Sequence, residues 1–169
     1  PTVTLTDQKR KTMATNPTGL NAQQREKLAA GLNDLLSNYH VFYMNTRGFH
    51  WNIKGREFFE LHVKFEELYD DLLIKIDEIA ERIVTLGVRP GHSFEIYLAQ
   101  SKIRSITDVS SGPEAVGHIV AGLNILIAKQ RSLLDASGEA EDEGTNALMS
   151  DYIREQEKLV WMYNAYLGN

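Results

Sequence analysis

Three observations predict an all-α fold, a four-helix bundle with a short extra helix in its long middle connection. Apolar residues recur at helical spacing over four long stretches, and no alternating apolar/polar run of useful length interrupts them. The four prolines, Pro1, Pro17, Pro90 and Pro113, all fall outside the interiors of those stretches. Length agrees with this. The chain has 169 residues, about one domain, and a chain of that size buries roughly two-thirds of its unfolded surface.

The first helix is predicted from Asn21, with Gln24 three residues on as its capping-box partner. Leu28, Leu32, Leu35, Tyr39, Phe42 and Thr46 carry it to Gly48, and Gly48 and Gly55 bracket a predicted break. The second helix runs from about Arg56 to Leu86 with Phe58, Leu61, Phe65, Leu68, Leu72, Ile76, Ile79, Ile83 and Leu86 on one stripe. Gly87 stands where a left-handed stop is needed, Val88 can touch Ile83, and Pro90 prevents resumption, which is the Schellman pattern. Phe94–Gln100 reads as the short apolar helix of the connection, a cover for core or interface. The third long helix starts at Pro113 with Glu114 beside it near the positive end of the dipole. Val116, Ile119, Leu123, Leu126, Gln130 and Leu133 take it to Gly138. The fourth follows Gly144 through Leu148, Tyr152, Gln156, Leu159, Tyr163 and Tyr166. Residues 1–17 read as a flexible tail and 18–169 as the bundle domain.

Composition narrows the function classes. Apolar residues make up 43% and charged residues 24%, an ordinary globular mix. No apolar run approaches the ~20 residues that span a bilayer, and the Thr-rich start lacks a signal-peptide core. The chain has no cysteine. That excludes a disulfide scaffold, thiolate zinc, iron–sulfur clusters and a cysteine nucleophile, and it fits the cytoplasm. Eighteen basic against twenty-three acidic residues leave a net charge of −5, so nucleic-acid binding would need a local patch. Lys9-Arg10-Lys11 is the only basic cluster in the tail.

The richest chemistry lies between Gly48 and Glu81. His50 precedes the second helix, His62 lies within it, and Glu66, Asp77 and Glu81 follow. With His62 at zero, Glu66 falls near about +40°, Asp77 near about +60° and Glu81 near about +100° on a helical wheel. The apolar stripe centres near about −80°, and a polar face with Lys64, Lys75 and Arg82 near about +200°. The ligand-type residues therefore share a flank beside the core, with Tyr69 and Leu73 among them. Imidazole and carboxylate without thiolate suit iron, manganese, zinc or cobalt. Bundles that hold two irons inside one chain use Glu-x-x-His on two helices, and this chain has none. A site shared between subunits needs fewer ligands from each.

Those residues carry a family resemblance. His50-Trp51-Asn52-Ile53-Lys54-Gly55 followed by Leu61-His62 and Glu66 resembles the first signature of the Dps family, ferritin-like mini-ferritins named as DNA-binding proteins of starved cells. Ile76-Asp77-Glu78-Ile79-Ala80-Glu81-Arg82, with Leu86-Gly87 and Pro90, resembles the second signature. Asp142-Glu143-Gly144-Thr145-Asn146 also matches. The likeness spans roughly residues 20–167. It implies a ferritin-like bundle in a hollow 12-subunit shell, with a centre for two iron ions at each two-fold interface. His50 and His62 would come from one subunit, Asp77 and Glu81 from the other, with Glu66 as a further carboxylate. Trp51 matches the family tryptophan beside the centre. The implied activity is oxidation of Fe(II), preferably by hydrogen peroxide over dioxygen, with ferric oxide stored inside.

Other signals carry less chemistry. Glu139, Glu141, Asp142 and Glu143 form an acidic corner before the last helix, and the resemblance places such acids at three-fold pores that draw in Fe(II). Lys9, Arg10 and Lys11 are the residues expected to contact DNA. His40, His92 and His118 lack ligand-type neighbours at helical spacing and are expected to be structural or solvent-exposed. Two other readings stay open here: a nucleoid protein that condenses DNA through its tail with incidental metal, and a bundle with redox-inert zinc at the same ligands.

Overall fold

The computed structural model describes residues 16–169. Lys9, Arg10 and Lys11 lie outside the described residues. Asn16, expected in the tail, is tied to the bundle: its side-chain amide donates to the Thr85 carbonyl at 3.1 Å.

Local signals set the helix ends. Asn21 and Gln24 form the capping box, with reciprocal bonds of 2.9 and 3.1 Å, and open α1 (Ala22–Asn52). The expected break at Gly48 does not occur. The helix runs through Gly48 and turns only over residues 53–57, where Gly55 takes φ +111°. His50 and Trp51 therefore sit in the last turn of α1 and not in a loop. After α2 (Phe58–Thr85), Gly87 at φ +80° donates to the Val84 carbonyl (2.8 Å) and Val88 to Ile83 (3.2 Å), the Schellman stop. Ser93 caps α3 (Phe94–Gln100), and Ser111 stands before α4 (Gly112–Glu139). Asp142 caps α5 (Glu143–Leu167), which starts just ahead of Gly144.

α1 and α2 form one antiparallel hairpin, α4 and α5 the other, and α1 packs antiparallel on α4. α2 and α4 must then run parallel, so the chain between them has to return along the whole bundle. That crossover is fastened to α1 by two asparagines. Asn38 Oδ1 accepts from the amides of Lys102 and Ile103 and from the Ser101 hydroxyl. Two turns on, Asn45 accepts from the Ile106 amide and donates to the Arg104 carbonyl. α3 lies against α1 through buried Tyr97, stacked on His40 at 4.0 Å, while Phe94 and Leu98 stay exposed. Gly122 is required for the closeness of α4 to α1, since a Cβ there would meet the Phe42 ring at 2.6 Å.

The middle of the bundle is polar and closed. Tyr39, Gln130 and Gln156 are fully buried and form a hydrogen-bonded triangle. The Tyr39 hydroxyl donates to Gln130 (2.6 Å), Gln130 donates to Gln156 (2.8 Å), and Gln156 donates to Tyr39 (2.7 Å). Between α2 and α5 the expected polar face is corrected. Lys75 is only 4% exposed, wedged between Asp71 (2.6 Å) and Glu155 (2.7 Å) with its ammonium over the Tyr152 ring. A lysine stem covers apolar surface while two carboxylates satisfy its head, so it occupies a helix–helix seam that its charge alone would not suggest. Arg82 likewise folds in, onto Asp142 and Thr145. No described helix is long and apolar enough to cross a membrane.

Candidate metal centre

The tight 53–57 turn brings the last turn of α1 beside the first turns of α2, and so His50 against His62. Their rings stack at 3.7 Å and 14°. Each Nδ1 bonds the other residue's backbone carbonyl, His50 to His62 at 2.6 Å and His62 to His50 at 2.9 Å. A carbonyl only accepts, so each Nδ1 carries a proton, and in the neutral ring the lone pair is on Nε2. Neither Nε2 has a hydrogen-bond partner among the described residues. Two imidazoles are thus fixed in the metal-binding tautomer, His50 nearly buried and His62 half-buried. Phe58 stacks on His62 at 5.0 Å and the Tyr69 edge meets His50 at 5.2 Å, walling the pair with apolar rings.

The carboxylates stand elsewhere on the same flank. Glu66, Asp77 and Glu81 are all exposed, and none is ion-paired among the described residues. Fifteen residues separate Asp77 from His62, about 22 Å along a helix. Accordingly no group of three or more metal-type side chains converges among the described residues. Within the flank the acids alternate with Phe59, Val63, Leu73, Ile74 and Val84, all more than half exposed. A helix face that mixes large uncovered apolar side chains with unpaired acids has the composition of a contact surface.

Trp51 sits next to the pair, 56% exposed, with the Arg47 guanidinium 4.7 Å from its ring. Arg47 also lies 5.5 Å from the Tyr43 and Tyr69 rings and donates to the Tyr43 hydroxyl at 3.3 Å. Burial and the nearby Glu66 and Asp70 carboxylates push the Tyr69 phenol up, against the opposing pull of Arg47. Sequence pattern alone does not single out Arg47. Its spacing of four from both Tyr43 and Trp51 was the available signal.

In the acidic corner Asp142 is committed elsewhere: it is buried, caps α5 through Thr145 and pairs with Arg82 at 2.5 Å. Glu139, Glu141 and Glu143 are exposed. His118 does have an acidic neighbour, Glu114 one turn earlier at 3.9 Å, but that pair has no third metal-type partner among the described residues.

The family of ferritin-like domains matches residues 29–169. The chain is 61% identical to a crystallised Dps protein of Vibrio cholerae O1, described as a member of a broad superfamily of ferritin-like diiron-carboxylate proteins. The likeness covers 92% of this chain and 98% of that one, with a TM-score of 0.89. A Dps protein from Bacillus brevis is 33% identical over 88% of this chain and 99% of its own, with a TM-score of 0.84. The DNA protection during starvation protein of Porphyromonas gingivalis is 44% identical over 149 residues, 88% of this chain and 94% of that protein. With the all-α bundle and the uncovered α2 flank of this chain, those likenesses make it a member of the ferritin-like Dps family.

Proposed function

We propose that this chain is a ferroxidase and iron-storing mini-ferritin whose centres form between two copies. The observation that carries the reading is the His50–His62 pair, held in the metal-binding tautomer with both Nε2 atoms unpartnered. Pairing two α2 helices antiparallel about an axis near residues 69 and 70 sets residue 62 of one opposite residue 77 of the other. His50 and His62 then meet Asp77 and Glu81 of the second copy, and the alternating apolar side chains seal the contact. Glu66 is a further carboxylate on the same flank. Each interface would hold two such centres, and each centre two Fe(II) ions as substrate.

The residues suit that chemistry. Neutral imidazole and carboxylate bind Fe(II) and, being few, leave coordination positions for the oxidant and for exit of Fe(III). With hydrogen peroxide as the preferred oxidant, two Fe(II) each give one electron, the O–O bond breaks, and two protons taken up from solution complete two water molecules, leaving two Fe(III). Paired delivery of both electrons avoids free hydroxyl radical, and Trp51 stands beside the site to intercept what escapes. The product Fe(III) is stored as oxide inside a 12-subunit shell, which protects DNA from oxidation. Exposed Glu139, Glu141 and Glu143 would draw Fe(II) toward entry pores. DNA contact through Lys9, Arg10 and Lys11 is a separate and weaker interaction, additive over many tails.

Rapid mixing of iron-free protein with anaerobic Fe(II) and then substoichiometric peroxide tests this. Fast ferric absorbance consuming about two Fe(II) per peroxide is expected. Oxidation no faster than in His50→Ala with His62→Ala would contradict it.

A further inference from the structure

Arg47 is a cation without a counter-charge. Its guanidinium lies against Tyr43, Trp51 and Tyr69, and no carboxylate of the described residues comes within 4 Å. Its Nε is buried and has no hydrogen-bond partner. Three aromatic faces hold the group in place, but apart from one bond to the Tyr43 hydroxyl they accept nothing from it, a costly arrangement for a guanidinium with five N–H groups. The flank of α2 beside it has the opposite problem: exposed Glu66, Asp70, Asp77 and Glu81 are unpaired among the described residues.

The two deficits cancel if a second copy is present. In the antiparallel pairing described above, residue 62 faces 77 and residue 69 faces 70. Arg47 lies between Trp51, at the histidine end, and Tyr69. It therefore faces the stretch of the second copy's α2 from Asp70 to Asp77. Two Asp70 side chains also approach one another near the axis, and without cations that contact would be repulsive. We propose that Arg47 is the counter-ion across this interface, pairing with Asp70 and Asp77 of the second copy and holding the carboxylate half of the centre in place until Fe(II) arrives. This rests on the shared-centre reading.

Arg47 is thus a positioning residue with two measurable consequences. In metal-free protein it stabilises the subunit pair, most at low salt. Toward a divalent cation it competes, because Fe(II) must displace a charge already on Asp77. Arg47→Gln should make the metal-free assembly dissociate at concentrations about tenfold higher at low ionic strength, with the difference fading at high salt. The same variant should bind Zn(II), a redox-inert probe, several-fold more tightly than wild type. Arg47→Lys keeps the charge and should restore most of the salt-dependent stability, which separates an ionic role from a packing one. A double-mutant cycle of Arg47→Gln with Asp70→Asn should show coupling that vanishes at high salt.

Sedimentation of metal-free protein across a salt series, beside Zn(II) calorimetry, decides the matter. Arg47→Gln behaving as wild type in both would overturn the proposal. So would equal loss of stability in Arg47→Gln and Arg47→Lys at every salt concentration. If wild type binds no more Zn(II) than His50→Ala with His62→Ala, the shared-centre reading fails instead, whatever Arg47 does.

Discussion

The centre of the bundle and the flank of α2 are both polar places on helices, and they are built in opposite ways. At the centre, Tyr39, Gln130 and Gln156 satisfy one another in a closed triangle with no atom left over. On the flank, His50 and His62 satisfy only their Nδ1 atoms, while Glu66, Asp77 and Glu81 have no partner among the described residues. The polar groups of the centre are completed inside one chain; those of the flank are left open. The bundle interior, where a one-chain two-iron site would sit, holds that closed triangle instead. The open groups lie on an exposed flank, where a second copy can reach them.

Four changes would sharpen or break that contrast, and they differ in size. His50→Ala with His62→Ala should lower peroxide-dependent Fe(II) oxidation by at least about 100-fold with helical content unchanged, measured by rapid mixing and circular dichroism. Leu73→Glu with Ile74→Glu puts two charges on side chains that touch no core of their own. Each copy should stay folded, but subunits should separate in sedimentation and most oxidation should be lost with the pairing. Tyr39→Phe acts on the closed region and should do the reverse. Removing its hydroxyl strands Gln130 and Gln156 and should cost about 1–3 kcal/mol in denaturant unfolding, leaving oxidation unaltered.

The smallest effect concerns Lys75. Burial pulls it down, but the bonds and charges of Asp71 and Glu155 outweigh that and leave it above the ordinary lysine value. A group raised on folding stabilises in full below its unfolded pKa and loses that contribution as pH climbs through the folded one. The stability difference between wild type and Lys75→Met should therefore be flat through neutral pH and shrink only above about pH 10.4. Urea unfolding at both ends of that range checks it.

Much of the bundle was legible because its signals are local. The Asn21–Gln24 box, the Gly87 stop and the 3.6-residue stripes each need only neighbouring residues. Gly48 misled because glycine is tolerated within a helix when packing on both sides continues, as Phe49 and Thr46 do here. Lys75 and Arg82 read as a polar face and Asp142 as part of an acidic pore corner, yet each is drawn inward by a partner some sixty to eighty residues away in sequence. Spacing cannot show such pairs. For the site, the wheel put His62, Glu66, Asp77 and Glu81 on one non-core flank, and all three acids are exposed there. The reciprocal bonding of His50 and His62 was not legible, because it depends on how tightly residues 53–57 turn. Arg47 was missed because its meaning comes from three rings on two helices.

Subunit complementation tests most directly that the centre is shared. One variant carries His50→Ala with His62→Ala, the other Asp77→Asn with Glu81→Gln, and the two are assembled from an equal mixture of unfolded chains. In a mixed pair one centre receives all four intact ligands and the other none. Random pairing makes about half of all pairs mixed, so about a quarter of wild-type oxidation should return although each variant alone is inactive. Mixed assemblies as inactive as either parent would contradict a centre built from two copies.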